Sequence, residues 1–202
     1  MKVPSVILNF CTVLAIPLFL AGLIVAAIFA SIFGSFNIFE DYISYLGSPA
    51  YTPFPWIMNL TFIITSFLIF FYFLNIFNHV YPAVKKNKFK RIYPLFGFLL
   101  FIITSISFFL TGIFQSGIFE LLHQVFTVLS FVPLIFGEII FGYLTLKLRI
   151  FKRYIGYMMF SAHMVTSLLF LIIPAAFVQW LMLFALLTWG VPLSLELVLP
   201  KK

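Results

Sequence analysis

Six long, predominantly apolar runs dictate how this chain can fold: residues 5–34, 55–78, 92–114, 121–146, 154–174 and 177–199. Each reaches the length of about 20 residues that a helix needs to cross hydrocarbon. In lipid only helices and closed barrels satisfy their own backbone, and these runs are far too long for barrel strands. The rest of the composition agrees. With twelve basic and five acidic side chains among 202 residues, and 64% hydrophobic, the chain falls far short of the roughly 25% charged residues of soluble domains. The expected fold is all-α: one integral domain over residues 1–202, a six-helix transmembrane bundle in the cell membrane. The first run is longer than the roughly 7–15 apolar residues of a secretion signal, so it is read as a retained helix. The single cysteine, Cys11, permits no intramolecular disulfide and reads as a small buried hydrophobe.

The loops set an orientation. Lys85, Lys86, Lys88, Lys90 and Arg91 lie between the second and third runs, and Lys147, Arg149, Lys152 and Arg153 between the fourth and fifth. Lys2 precedes the first run, and Lys201 and Lys202 follow the last. In a six-span topology all twelve fall on one side, so the positive-inside rule makes both termini cytoplasmic. This distribution marks topology, with anionic lipid headgroups as the basic loops' natural neighbours. It argues against a nucleic-acid partner, and no phosphate-binding glycine loop is present.

Polar residues then mark a face. On a helix turning 100° per residue, Glu120, His123, Thr127, Ser130 and Glu138 fall within an arc of roughly 80°. An ionisable group against lipid is costly, so this face should look into the bundle. Its ends differ in depth, since Glu120 and Glu138 are about 27 Å apart along the axis. Two sites are therefore expected.

The inner one pairs Glu138 with His163. Glu138 lies about 13 Å from Lys147 and His163 about 15 Å from Arg153, nearly equal depths on helices joined by a short loop. Such a pair either fixes helix packing or, beside a cavity, relays protons or coordinates a substrate. The outer site is expected to gather Glu40, Asp41, Ser44, Gln115, Glu120 and His123. In it the segment "FEDYISYLGSP" (39–49) folds back as a short helix and brings Glu40 or Asp41 near His123 and Gln115. The bland alternatives are that Glu120 answers the helix dipole, and that His123 bonds a neighbouring backbone.

Catalytic and metal chemistry find little footing. His79, His123 and His163 lie at three different depths, so they cannot share a zinc ion or a haem. No serine or cysteine nucleophile has a nearby base, and no metal, cofactor or catalytic residue is assigned. Pro17, Pro133 and Pro192 fall inside helices and are expected to bend them. Trp56, Trp180 and Tyr157 sit near helix ends and read as interfacial anchors. Glu196 reaches the inner interface.

Four stretches carry a resemblance. "YISYLGS" (42–48), "PWIMN" (55–59), "TGIFQSG" (111–117) and "LLHQVFTVLSF" (121–131) resemble domain-of-unknown-function family 998, prokaryotic integral membrane proteins of about six helices. The matching positions are Ile43, Ser44, Leu46, Gly47, Asn59, Gly112, Ile113, Phe114 and His123. Tyr45 stands where the family pattern has aspartate, and Gln115 where it has proline. The resemblance covers the first four helices, supports the architecture and implies no reaction.

Three function classes follow. The first binds or passes a small molecule or lipid headgroup at an outward-facing polar pocket. The second is a non-catalytic subunit or assembly factor, whose Phe-rich surface meets partner subunits. The third is a lipid-modifying enzyme using His123 and an outer-loop acid.

Overall fold

The apolar runs become helices, and their polar stripes decide how the helices face. A computed structural model describes residues 3–88 and 90–199. Lys2, Lys201 and Lys202, three of the basic residues behind the expected orientation, lie outside the described residues. The helices are α1 (Ser5–Phe33), α2 (Pro55–Val84), α3 (Ile92–Ile113), α4 (Glu120–Leu148), α5 (Arg153–Ile172) and α6 (Ala176–Val198), with a 3-10 turn at Ile43–Gly47. No strand occurs among the described residues. Five helices, α1 to α4 and α6, are long and apolar enough to cross a membrane.

Boundaries follow local chemistry. α2 continues past the expected end at 78 and through Pro82. A proline this close to a helix end removes a single N–H, at a level where the freed carbonyl can meet polar surroundings. α5 stops two residues before Pro174, because a residue preceding proline avoids the helical region. Pro17, Pro133 and Pro192 stand inside α1, α4 and α6.

Successive helices pack against each other and α6 returns to α1, closing a ring. Its outer surface is apolar: Phe67, Val128, Val165 and Phe184 are all more than half exposed, as lipid contact requires. Inside, two clusters fill the ends. One gathers Tyr72, Phe73, Phe101, Phe141, Ile155, Met159 and Trp189; the rings of Phe73 and Phe101 stack at 4.0 Å and those of Phe101 and Phe141 at 5.1 Å. The other gathers Leu23, Ala26, Leu46, Met58, Phe62 and Trp180. Trp180 is only 5% exposed, so it is a core residue and not the interfacial anchor its place near a helix end suggests. Trp56 and Tyr157 are exposed.

α4 and α5 meet backbone to backbone at Gly142 and Gly156. A Cβ on Gly142 would lie 2.9 Å from the Gly156 carbonyl oxygen. Small residues let two backbones meet in this way. One turn up α4 from Gly142 stands Glu138, and two turns up α5 from Gly156 stands His163, each on the side of its glycine. The glycine contact therefore sets the spacing at which the acid and the imidazole meet.

The loop between α1 and α2 folds inward. The Ile43 N–H donates to Gln179 Oε1 at 2.7 Å, the Tyr42 hydroxyl to the Pro174 carbonyl at 2.7 Å, and Asn59 Nδ2 to the Gly47 carbonyl at 3.1 Å. These bonds pin the 3-10 turn to α6 and α2 and bury Ile43, Leu46 and Gly47. Farther along, Ser48 packs on Gly117, whose φ of 81° lies in the left-handed region that favours glycine.

Candidate functional site

The polar stripe of α4 faces inward. His123, Ser130 and Glu138 are buried, while Leu121, Val128 and Phe136 on the opposite side are exposed. From this face two environments are built, at the two depths expected.

At the outer end the polar residues satisfy one another locally. Glu120 Oε2 accepts from the Gly117 N–H at 2.9 Å and from the Ser116 hydroxyl at 3.2 Å, and Oε1 accepts from Gln124 Nε2 at 2.8 Å. This carboxylate closes the tight turn that starts α4. Gln115 contributes its main-chain carbonyl to the same turn, accepting from the Ile118 and Phe119 N–H groups. His123, 2% exposed, donates through Nδ1 to the Phe114 carbonyl at 2.8 Å, while its Nε2 has no partner.

Loop one does not bring its acids here. Asp41 Oδ2 accepts from the Asn37 N–H at 2.7 Å within its own turn, and Glu40 is exposed. Among the described residues no hydrogen bond joins Glu40 or Asp41 to His123 or Gln115. The physical reason is the 3-10 turn, which docks on α6 and α2 and leaves the acids on its outer side. What loop one does bring to the turn that starts α4 is Ser48, against Gly117, and Tyr45. Burial, and then the neighbouring Tyr51 phenol, pushes the Tyr45 phenol up, and the Glu120 carboxylate adds to the effect. Tyr45 also stacks on Tyr51 at 4.3 Å. Tyr45 thus holds the position of the family pattern's aspartate as part of an aromatic cluster.

With no hydrogen bond between them, Asp41→Asn and His123→Gln should act independently on stability. Their unfolding free energies in mild detergent should add to within about 0.5 kcal/mol in the double variant. A larger coupling would return Asp41 to the His123 site.

At the inner end Glu138 and His163 meet. His163 Nδ1 lies 2.9 Å from Glu138 Oε1, with exposures of 1% and 0%. Around them stand groups that sequence reasoning passed over. The Trp189 indole lies beside the carboxylate, yet neither Trp189 Nε1 nor Glu138 Oε2 has a partner within hydrogen-bond geometry. Tyr72 neighbours Glu138 and donates its hydroxyl to the Gly190 carbonyl at 3.0 Å. The only sequence signal for Tyr72 and Trp189 was a polar edge within a long apolar run, which hydropathy averages away.

His163 also lines a central cavity of about 130 Å³. All six helices and the 3-10 turn contribute to its walls, which are mostly apolar: Phe19, Phe62, Phe108, Phe131, Leu134 and Leu183 among others. Ser44 is the one member of the expected outer cluster on its lining, and Gln179, which holds the 3-10 turn, borders it too. Three lining hydroxyls, those of Thr65, Thr104 and Thr127, have no partner, and neither does His163 Nε2.

A helical bundle of membrane-spanning character, with an acid–histidine pair buried at the edge of a central cavity, is the class these features define. The chain belongs to the family described as "protein of unknown function (DUF998)", which matches residues 13–196. The match runs through α5 and α6 as well, beyond the four helices whose motifs carry the resemblance. No curated protein and no solved structure matches the chain.

Proposed function

We propose that this protein is a six-span membrane protein of the cell membrane, with cytoplasmic termini, that holds a small, mainly apolar molecule in its central cavity. The sixth span is α5, whose 20 residues extend for about 30 Å. Cytoplasmic termini follow from the basic loops before α3 and α5.

One observation carries the binding reading. Residues from four helices, Thr65, Thr104, Thr127 and His163, line one cavity, and each has a buried polar atom without a partner. A hydroxyl on a buried helix can turn back to its own carbonyl, as Thr12, Thr61, Ser105, Thr111 and Ser194 do here at 2.7–2.9 Å. Leaving a buried polar group unmatched costs about 1–3 kcal/mol, so an occupant that completes these bonds would recover the loss. Size sets the class: 130 Å³ compares with the cavity of about 150 Å³ that accepts benzene in a protein core. A ring-sized body or a segment of chain fits; a whole phospholipid does not. The site thus lies in the middle of the bundle and is largely apolar, in place of the outward-facing polar pocket the sequence suggested.

The test is retention. Protein purified in native lipid discs should release a small molecule on denaturation, at a fixed ratio to protein, measured by mass spectrometry. Thr104→Phe, which fills the cavity from α3, should abolish that ratio while bulk lipid is unchanged. The same molecules in equal amounts from both proteins would refute the binding reading.

A further inference from the structure

Resting on that reading, we infer that the cavity is filled from the bilayer hydrocarbon through a lateral gate between α1 and α6, at Ile16 and Gly190. Its occupant is then an uncharged molecule dissolved among the acyl chains. Both ends of the cavity are closed to water. At the outer end the 3-10 turn roofs it with Ile43 and Ser44, and the Ile43 N–H holds that turn to Gln179 of α6. At the inner end Tyr72, Phe73 and Trp189 form the floor, part of a buried cluster that continues through Phe101 and Phe141. What is left is a way out between helices.

The seams between neighbouring helices are not alike. α1 rests on α2 where Gly22 meets Thr61, and α2 on α3 where a Cβ at Gly112 would lie 2.7 Å from the Asn59 carbonyl oxygen. α3 rests on α4 where Gly137 meets the Phe101 ring, and α4 on α5 at Gly142. α5 is tied to α6 by the Lys152 N–H, which donates to Glu196 at 3.0 Å, and among the described residues it lends the cavity His163 alone. Between α1 and α6 no hydrogen bond forms among the described residues. Asn9 and Thr12 of α1 turn to Asn75 of α2, at 3.3 and 3.0 Å, and the Gly190 carbonyl of α6 is taken by Tyr72 of α2. A Cβ at Gly190 would meet Ile16 Cδ1 at 3.0 Å and, among the described residues, nothing else within 4 Å outside its own helix. The contact is thus the flexible tip of one side chain over a residue that has none. Ile16 and Gly190 both line the cavity, as do Phe19 of α1 and Leu187 of α6, so this seam is also the cavity wall.

α1 and α6 are also the one pair of ring neighbours that is not consecutive in the chain. The 3-10 turn holds their outer ends, which leaves the middle free to part. Parting them there breaks no hydrogen bond, and acyl chains are as apolar as the helix faces they would cover. Ile16 stands about 16 Å along α1 from Ser5, and Gly190 about 12 Å along α6 from Val198, within a hydrocarbon layer of about 30 Å. A route at that depth crosses neither headgroups nor water. It admits neutral, apolar molecules and turns away ions, whose charge is costly at the bilayer centre.

The test reverses the order of two steps. Ile16→Cys and Gly190→Cys, with Cys11→Ala, are introduced in the full-length protein in lipid discs and joined by a short thiol-reactive spacer that reductant cleaves. The probe is fluorobenzene, followed by fluorine magnetic resonance. Loaded before the lock is closed, it should stay bound through a wash with probe-free lipid. Added after the lock is closed, it should remain in the lipid, and reductant should restore its uptake. Both samples hold the same locked protein, so any change in folding or cavity shape cancels. A second lock, between Tyr42→Cys and Phe170→Cys, ties the start of the 3-10 turn to α5 where the native rings lie 6.4 Å apart, and should leave uptake unchanged. Equal bound probe whichever step comes first, or uptake stopped by the second lock, would overturn the lateral gate and leave the cavity as a binding site. Fluorobenzene that never binds the wild-type protein would overturn the cavity reading and this inference with it.

Discussion

Leucine in place of Glu138 alone, or of His163 alone, is expected to cost about 3–5 kcal/mol of stability, while the double replacement should cost far less than the sum. The asymmetry comes from what each change leaves behind. Removing one partner strands the other in a core where its exposure is at most 1%. Removing both leaves apolar groups of similar volume among Phe131, Trp189 and Met159, where they pack without unmatched charge. Unfolding by detergent titration, run as a double-mutant cycle, reads the coupling directly. Single variants as stable as the wild type would mean that the pair does not form, or that water reaches it freely.

The second large effect is expected at the contact that spaces this pair. Gly142→Leu should destabilise the bundle by about 3 kcal/mol, at the upper end of overpacking costs. The first added carbon already lies 2.9 Å from a backbone oxygen of α5, which cannot swing aside as a side chain can. The helices must separate, and the 2.9 Å contact between His163 and Glu138 lengthens with them. Gly142→Ala should cost less than leucine but still destabilise, because the contact of its Cβ with the Gly156 backbone oxygen at 2.9 Å outweighs alanine's helix preference of up to about 1 kcal/mol. A tolerated leucine, with the same midpoint in detergent titration, would show that α4 and α5 do not touch here.

The inner pair was legible because two simple rulers apply to it. Helical rise gives the depth of a residue from the nearest basic loop, and a short loop makes α4 and α5 antiparallel neighbours. Glu138 and His163 needed nothing more. The inward face of α4 was legible for a related reason, since polar residues at helical spacing in lipid must face protein. The outer cluster was not legible. Its layout depends on the bonds from Ile43 to Gln179 and from Tyr42 to Pro174, which span 136 and 132 residues and have no local signature. Acids in two loops and a histidine one turn into α4 suggested one site, whereas Asp41 and Glu120 bond within a few residues, His123 bonds a backbone carbonyl and Glu40 is exposed. The cavity was hidden for a third reason. Thr61 and Thr65 are identical in sequence terms, one turn apart on α2, yet Thr61 bonds its own helix and Thr65 does not. Only the space in front of a hydroxyl decides that, and space belongs to the packed bundle.

The central claim is that the cavity between Thr65, Thr104, Thr127 and His163 is a binding site and not a packing defect. An experimental structure from native lipid discs, with nothing added, tests it most directly. Density filling the cavity within hydrogen-bond distance of His163 Nε2 and at least one of the three threonine hydroxyls is the predicted result. A cavity closed by the surrounding phenylalanines, with those hydroxyls turned back to their own helices, would contradict it.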